Sequence, residues 1–207
     1  MSVNIGTIQE LPRRGEPVAT GIIKTPTDQV QQVRGVNIGD DRQADLAAHG
    51  GVDKAIYAYA IEDYRWWAET LGRETHPGLF GENLTTEGID VSEARVGDRW
   101  SIGSTLLEVS EPRLPCFKLS LRTQIPRIVK RFAEAARPGC YLRIIDEGEL
   151  VVGDAVRVRP TAGVAVSMRD ISRTYFGDKS RAAQMVALPA LSEAWREWAR
   201  AALAKGQ

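Results

Sequence analysis

The sequence predicts a mainly β chain, a β-barrel body with peripheral helices followed by a small helical domain at the C-terminus. Three observations predict it. Short β-branched or alternating runs bounded by Gly, Pro or Asp fill the first three quarters of the 207 residues. The turn signal Val-Gly-Asp occurs twice, at Val96-Gly97-Asp98 and Val152-Gly153-Asp154, as tight corners between strands require. From about Ser167 the hydrophobic period becomes helical and stays so.

The strand-like runs are Val18 to Lys24, Ala55 to Ala60, Thr105 to Ser110 and Tyr141 to Asp146, with two more in Glu149 to Arg159 broken at Gly153-Asp154. Two helices interrupt them. In Ile61 to Leu71 the positions Tyr64, Trp67, Ala68 and Leu71 share a face, and Gly72 is placed to stop it. In the second, Pro126 suits a first turn, Ile128, Val129, Phe132, Ala133 and Ala136 share a face, and Pro138-Gly139 ends it. Three short helices are expected in the tail. Ser167 with Asp170 resembles a capping box, Gly177 is a stop, Asp178 can cap a helix to Leu188, and Leu191, Trp195, Trp198, Ala202 and Leu203 line the last. Thr161-Ala162-Gly163 is the expected hinge, dividing residues 1–162 from 163–207.

Composition narrows the function. With 43% hydrophobic and 26% charged residues the chain reads as a soluble globular protein. Lys plus Arg and Asp plus Glu both count 27, so no global field recruits a nucleic-acid polymer or anionic lipid, and any anion site must be local. The first residues lack the basic and apolar regions of a secretory signal and no stretch is long enough to span a bilayer, so the cytoplasm is the expected address. Two cysteines in a chain this long are no disulfide framework.

Three segments can carry chemistry. In Ser110-Glu111-Pro112-Arg113-Leu114-Pro115-Cys116-Phe117-Lys118 two prolines fix the backbone around one cysteine, and cations at short offsets favour its thiolate, the form that acts as nucleophile or metal ligand. The plainer reading is a buried small hydrophobe. In His49-Gly50-Gly51-Val52-Asp53-Lys54 a Gly-Gly turn lets backbone amides approach an anion such as phosphate beside Lys54, or it is simply a tight turn. In Phe80-Gly81-Glu82-Asn83 the amide of Asn83 can read the edge of a heterocycle such as a pterin, or it only satisfies turn geometry. The chain has no Cys-x-x-Cys, no His-x-x-x-His, no Gly-x-Gly-x-x-Gly and no iron–sulfur cysteine set.

Taken in order, these segments resemble the MOSC family, named for the C-terminal domain of molybdenum cofactor sulfurase, and in particular its stand-alone bacterial hydroxylaminopurine-resistance branch. The likeness is carried by Gly39-Asp40 with Gln43-Ala44, His49-Gly50-Gly51 with Asp53-Lys54-Ala55, Phe80-Gly81-Glu82-Asn83-Leu84-Thr85 with Gly88, Gly97-Asp98, and Val109-Ser110 with Pro112-Arg113, Pro115-Cys116 and Lys118-Leu119. It runs from near the start to about residue 160, and the helical tail is similar to a three-helix domain some members carry. Two departures stand out: Val52 lies where relatives often have proline, and Cys140 where they tend to have an aromatic, which reads as packing.

The resemblance implies a closed, irregular β-barrel that binds molybdenum cofactor (molybdopterin). Cys116 would be the metal ligand and catalytic residue, Lys54, Arg113 and Lys118 would neutralise phosphate and metal-centre charge, and His49, Gly50, Gly51 and Asn83 would complete the cofactor site. Arg143, on a strand, ranks below these. The implied activity is detoxifying reduction of small N-hydroxylated compounds such as hydroxylamino bases, with electrons from a separate reductase. The alternatives are a cofactor carrier without turnover and a sulfur carrier using a Cys116 persulfide.

Overall fold

The computed structural model describes residues 1–46, 50–163 and 166–205. Thirteen short strands appear among these: β1 Ser2–Ile5, β2 Gln9–Leu11, β3 Val18–Thr20, β4 Thr25–Thr27, β5 Gln31–Arg34, β6 Asn37–Ile38, β7 Ile56–Ala60, β8 Leu84–Thr86, β9 Arg99–Ile102, β10 Thr105–Glu111, β11 Cys140–Asp146, β12 Gly148–Leu150 and β13 Arg157–Arg159. The helices are α1 Ile61–Leu71, α2 Phe117–Thr123, α3 Ile128–Ala135, α4 Met168–Phe176, α5 Ala182–Val186 and α6 Glu193–Lys205. Single 3₁₀ turns lie at Val52–Lys54, Val91–Glu93 and Lys179–Arg181.

The expected closed barrel is not formed. Eight strands make one open sheet in the order β13-β9-β10-β11-β7-β8-β1-β4, while β12-β5-β6 and β2-β3 form separate small sheets. Closure needs an unbroken ladder joining the outer strands, and among the described residues β13 and β4 do not pair with each other. The sequence at these edges explains why. Pro26 sits in β4 opposite Asn4 and has no N–H to offer a further strand. At the other edge β13 is three residues long, Arg-Val-Arg, with all three residues exposed, a short charged edge of the kind that stops pairing.

Strand β7 organises the core. All five of its residues are buried, and its alternation sorts them between two clusters: Ile56, Ala58 and Ala60 into one, Tyr57 and Tyr59 into the other. The first cluster also takes Trp100, Leu107, Val109 and Leu142 from the sheet and Met168, Ile171, Met185, Leu191 and Trp195 from the tail. The second is aromatic and covered by helices, with Trp67 of α1 stacked on Phe132 of α3 at 5.9 Å. Because β7 and β8 run parallel, a crossover must join them, and α1 lies in that connection. It ends at Gly72 as its spacing predicts.

Both Val-Gly-Asp corners are built alike. Asp98 Oδ2 accepts the Arg95 amide proton and Asp154 Oδ2 accepts that of Val151, each at 2.9 Å, so the aspartate closes a turn onto the residue three places earlier. The middle glycines take φ of 86° and 88°, which a side chain would resist. In the tail the capping box at Ser167 and Asp170 opens α4, and Asp178 caps the 3₁₀ turn ahead of α5.

Candidate functional site

Strand β10 ends at Glu111, the run Pro112 to Pro115 turns the chain, and Cys116 is the residue from which α2 starts. That puts the thiol on the wall of a cleft of about 620 Å³, open to solvent, at the end of the large sheet. Cys116 is partly exposed and Cys140 fully buried, and neither is in a disulfide. Burial pushes the Cys140 thiol far above its ordinary range, in keeping with a packing residue.

Lys54, Asn83, Arg113, Cys116 and Lys118, singled out from three separate segments, all line this cleft. Gly50 and Gly51 are not part of its lining. Their glycines answer local needs: a Cβ on Gly50 would meet the Leu46 carbonyl oxygen at 2.6 Å, and Gly51 takes φ 96° to start the 3₁₀ turn that carries Lys54. His49 lies outside the described residues. Arg143 is turned into an ion-pair cluster instead, donating to Asp53 and to Glu108.

The cleft adds residues not singled out for a role from sequence, among them Lys24, Arg42, Asp45, Tyr57 and Tyr141. Lys24 closes the apolar run Gly21-Ile22-Ile23, and its one sequence signal is that a cation ends a segment otherwise fit for the core. It is buried and paired with Asp41 at 2.5 Å, and desolvation holds its ammonium below the ordinary lysine range despite that partner. Tyr57 and Tyr141 are cross-strand partners on β7 and β11 with ring centres 5.2 Å apart. Burial raises the Tyr141 hydroxyl to about 12, so this wall stays neutral.

Five cations, Lys24, Arg42, Lys54, Arg113 and Lys118, therefore face one carboxylate, Asp45, in a chain whose net charge is zero. With no net charge on the whole chain, this cleft holds a local excess of positive charge. Lys54 lies 3.6 Å from Glu111 and Lys118 lies 3.7 Å from Asp45. Arg113 differs. Its guanidinium is buried between the Tyr57 and Phe132 rings, 5.3 and 5.2 Å from their centres, and its Nη1 has no hydrogen-bond partner among the described residues. A buried unsatisfied cationic donor is costly, and an anion in the cleft would relieve that cost. Asn83 is largely committed to the scaffold, its Oδ1 accepting the Tyr57 amide proton at 3.1 Å and its Nδ2 donating to Asn4 O at 3.4 Å. One Nδ2 proton and one Oδ1 lone pair remain for a ligand.

The family model for the MOSC domain matches residues 45–157, more than half of the chain, and that span holds Cys116, Lys54, Asn83, Arg113 and Lys118. The chain belongs to the MOSC family. Among relatives, the uncharacterized protein YflK of Bacillus subtilis is 32% identical over 199 residues, covering 95% of this chain and 90% of its own. The crystal structure of YiiM from Geobacillus stearothermophilus superposes with a TM-score of 0.79 at 32% identity, covering 96% of this chain and 95% of that one. A protein named "Reductase" from Gibberella moniliformis is 32% identical over 160 residues, which are 75% of this chain and 28% of that protein. Membership of the MOSC family fits a molybdenum-cofactor-related role. Among the described residues no helix is long and apolar enough to cross a membrane.

Proposed function

We propose that this MOSC protein binds molybdenum cofactor in the Cys116 cleft and reduces small N-hydroxylated compounds with electrons delivered by a separate redox protein. The observation that carries the reading is the convergence of one thiol with the buried Arg113 guanidinium, whose Nη1 is unsatisfied, and four further cations in a single cleft. These residues fit an anionic, phosphate-bearing organic cofactor whose metal takes soft ligands. When bound, the cofactor supplies a molybdenum centre able to take up an oxygen atom and exchange two electrons.

The chain's own residues then have distinct tasks. Cys116 adds a thiolate to sulfur ligands supplied by the cofactor. Arg113, satisfied on its ring faces and unsatisfied at Nη1, holds an anionic oxygen in a fixed plane. Lys54 and Lys118 add charge from opposite segments of the wall, and the remaining Asn83 groups read a ring edge. The overall reaction balances as R–NHOH + 2 e⁻ + 2 H⁺ → R–NH₂ + H₂O. Support for redox chemistry comes from the name of the Gibberella relative, of which this chain spans 28%.

The test is to purify the chain from a host that makes the cofactor, measure molybdenum and pterin, and assay reduction of a hydroxylamino base with a chemical reductant, for wild type and Cys116→Ala. Metal and pterin at near one per chain, with turnover abolished in the variant, are expected. Wild-type protein without pterin would overturn the reading, and pterin without turnover would make the protein a carrier.

A further inference from the structure

Gln43 lines the Cys116 cleft, and its amide is held in a definite direction. The Nε2 group donates to the Lys54 carbonyl oxygen at 3.0 Å. That bond settles which end of the amide is which, because a carbonyl oxygen can accept only from the nitrogen. The other end is different. Gln43 Oε1 is buried and has no hydrogen-bond partner among the described residues. An acceptor left in this state costs stability until a donor reaches it.

The backbone that carries Gln43 is fixed at three points. Asp41 accepts the Gly6 amide proton at 2.9 Å, the Arg42 amide donates to the Gly6 carbonyl oxygen at 3.0 Å, and a Cβ on Gly21 would meet the Arg42 carbonyl oxygen at 2.0 Å. Gly21 is itself part of the cleft lining, and its lack of a side chain is what lets the chain at residue 42 lie against it. A side chain on so firm a base, already pinned at its nitrogen, loses little freedom when a ligand meets its oxygen.

Lysine and arginine side chains are donors only, so the cations of the cleft attract phosphate but offer nothing to a donor. A pterin carries an amine and a ring N–H side by side, and both need acceptors. Asp45 lies 3.7 Å from Lys118, and Asn83 Oδ1 already accepts the Tyr57 amide proton. Gln43 Oε1 is a neutral acceptor that the scaffold does not use. We propose that Gln43 Oε1 accepts a hydrogen bond from the pterin ring of the cofactor, and that this bond lets the cleft tell a pterin from other phosphate-bearing ligands. This rests on the reading of the cleft as the cofactor site. Gln43 thereby recognises the ring while the cations hold the charge.

The test compares wild type with Gln43→Met and Gln43→Glu. Both variants lose the bond to the Lys54 carbonyl oxygen, and only Gln43→Glu keeps an acceptor, so the pair separates ring recognition from bracing of the backbone. Each full chain is purified from a host that makes the cofactor and analysed for retained pterin, and the cofactor-free chains are titrated with 6-hydroxymethylpterin, which has no phosphate, and with inorganic phosphate. Gln43→Met is expected to lose roughly tenfold in retained pterin and in 6-hydroxymethylpterin affinity, with phosphate affinity within about twofold of wild type, whereas Gln43→Glu stays within about threefold of wild type for the pterin. Equal pterin retention and affinity in the two variants would overturn the proposal, whether both match wild type or both fall, and a fall in both would leave Gln43 as a brace for Lys54. Thermal melts show whether the variants are equally folded. Wild type that retains no pterin would overturn the cofactor reading and this inference with it, while wild type that retains pterin beside two equal variants would overturn this inference alone.

Discussion

The guanidinium carbon of Arg113 lies 5.2 Å from the centre of the Phe132 ring, so a cation from the Cys116 loop is packed into the aromatic core formed by the helices. Ring contacts of this kind contribute ~0.5–2 kcal/mol, less than desolvation of a buried cation costs. Replacing Arg113 with Met keeps the volume and removes the charge. Arg113→Met is expected to raise the stability of the cofactor-free protein by about 1 kcal/mol or more, and to lower pterin retention at least tenfold. Paired urea titrations and cofactor analyses check both; a less stable variant that keeps its pterin would make Arg113 a structural residue.

Lys24 and Asp41 form a buried pair in which Asp41 also accepts the Gly6 amide proton at 2.9 Å. Asp41→Asn preserves an acceptor for Gly6 and strands the ammonium. A loss of ~3–5 kcal/mol is expected, the range for removing one partner of a buried pair. Adding Lys24→Met should recover most of it, because the second change removes the stranded charge. A double-mutant cycle by denaturant unfolding gives the coupling directly.

Glu82 gives a pH signature. It is buried and accepts hydrogen bonds from the Gly78 amide at 2.6 Å and from the Tyr64 and Thr85 hydroxyls at 2.7 Å. Burial nonetheless pushes its carboxyl above the ordinary value of 4.5. The folded chain thus holds this proton to higher pH than the unfolded chain does, so the contribution to stability is full below about 4.5 and is lost as pH rises through the raised native value. Glu82→Gln cannot titrate. The stability of wild type relative to Glu82→Gln should therefore fall as pH is raised from 4.5 towards neutrality, measured by urea unfolding at fixed ionic strength. A rise over the same interval would show that the hydrogen bonds outweigh desolvation.

Local rules were readable where the responsible residues are neighbours in sequence. Gly72, the Ser167–Asp170 box and both Val-Gly-Asp corners each act over three or four residues, and each appears where its pattern indicates. Closure of the sheet was not readable, since alternation reports which face of a strand is buried and not whether the first strand meets the last. Helix α2, seven residues beginning just after Cys116, was hidden by the prolines before it. In the site, Lys54, Asn83, Arg113, Cys116 and Lys118 were legible from residue chemistry and resemblance. Lys24 and Tyr141 were not, because their partners are remote: Asp41 lies 17 residues from Lys24, and Tyr57 reaches Tyr141 only through β7–β11 pairing.

Arg143 shows how a cation near a site can serve the scaffold. Its Nε donates to Asp53 at 2.9 Å and its Nη1 to Glu108 at 2.9 Å, while Glu108 is held from its other side by Arg99 at 3.0 Å. Asp53 belongs to the 3₁₀ turn that carries Lys54, so the cluster ties that turn to β10 and β11. Arg143→Met would leave Asp53 and Glu108 with fewer partners in a partly exposed setting, and a loss of ~1–3 kcal/mol is expected. Because Arg143 does not line the cleft, pterin retention should fall less than threefold, against at least tenfold for Arg113→Met. Thermal melts and cofactor analyses of the two variants side by side make the comparison, and a tenfold loss of pterin in a fully stable Arg143→Met protein would move this arginine into the cofactor site.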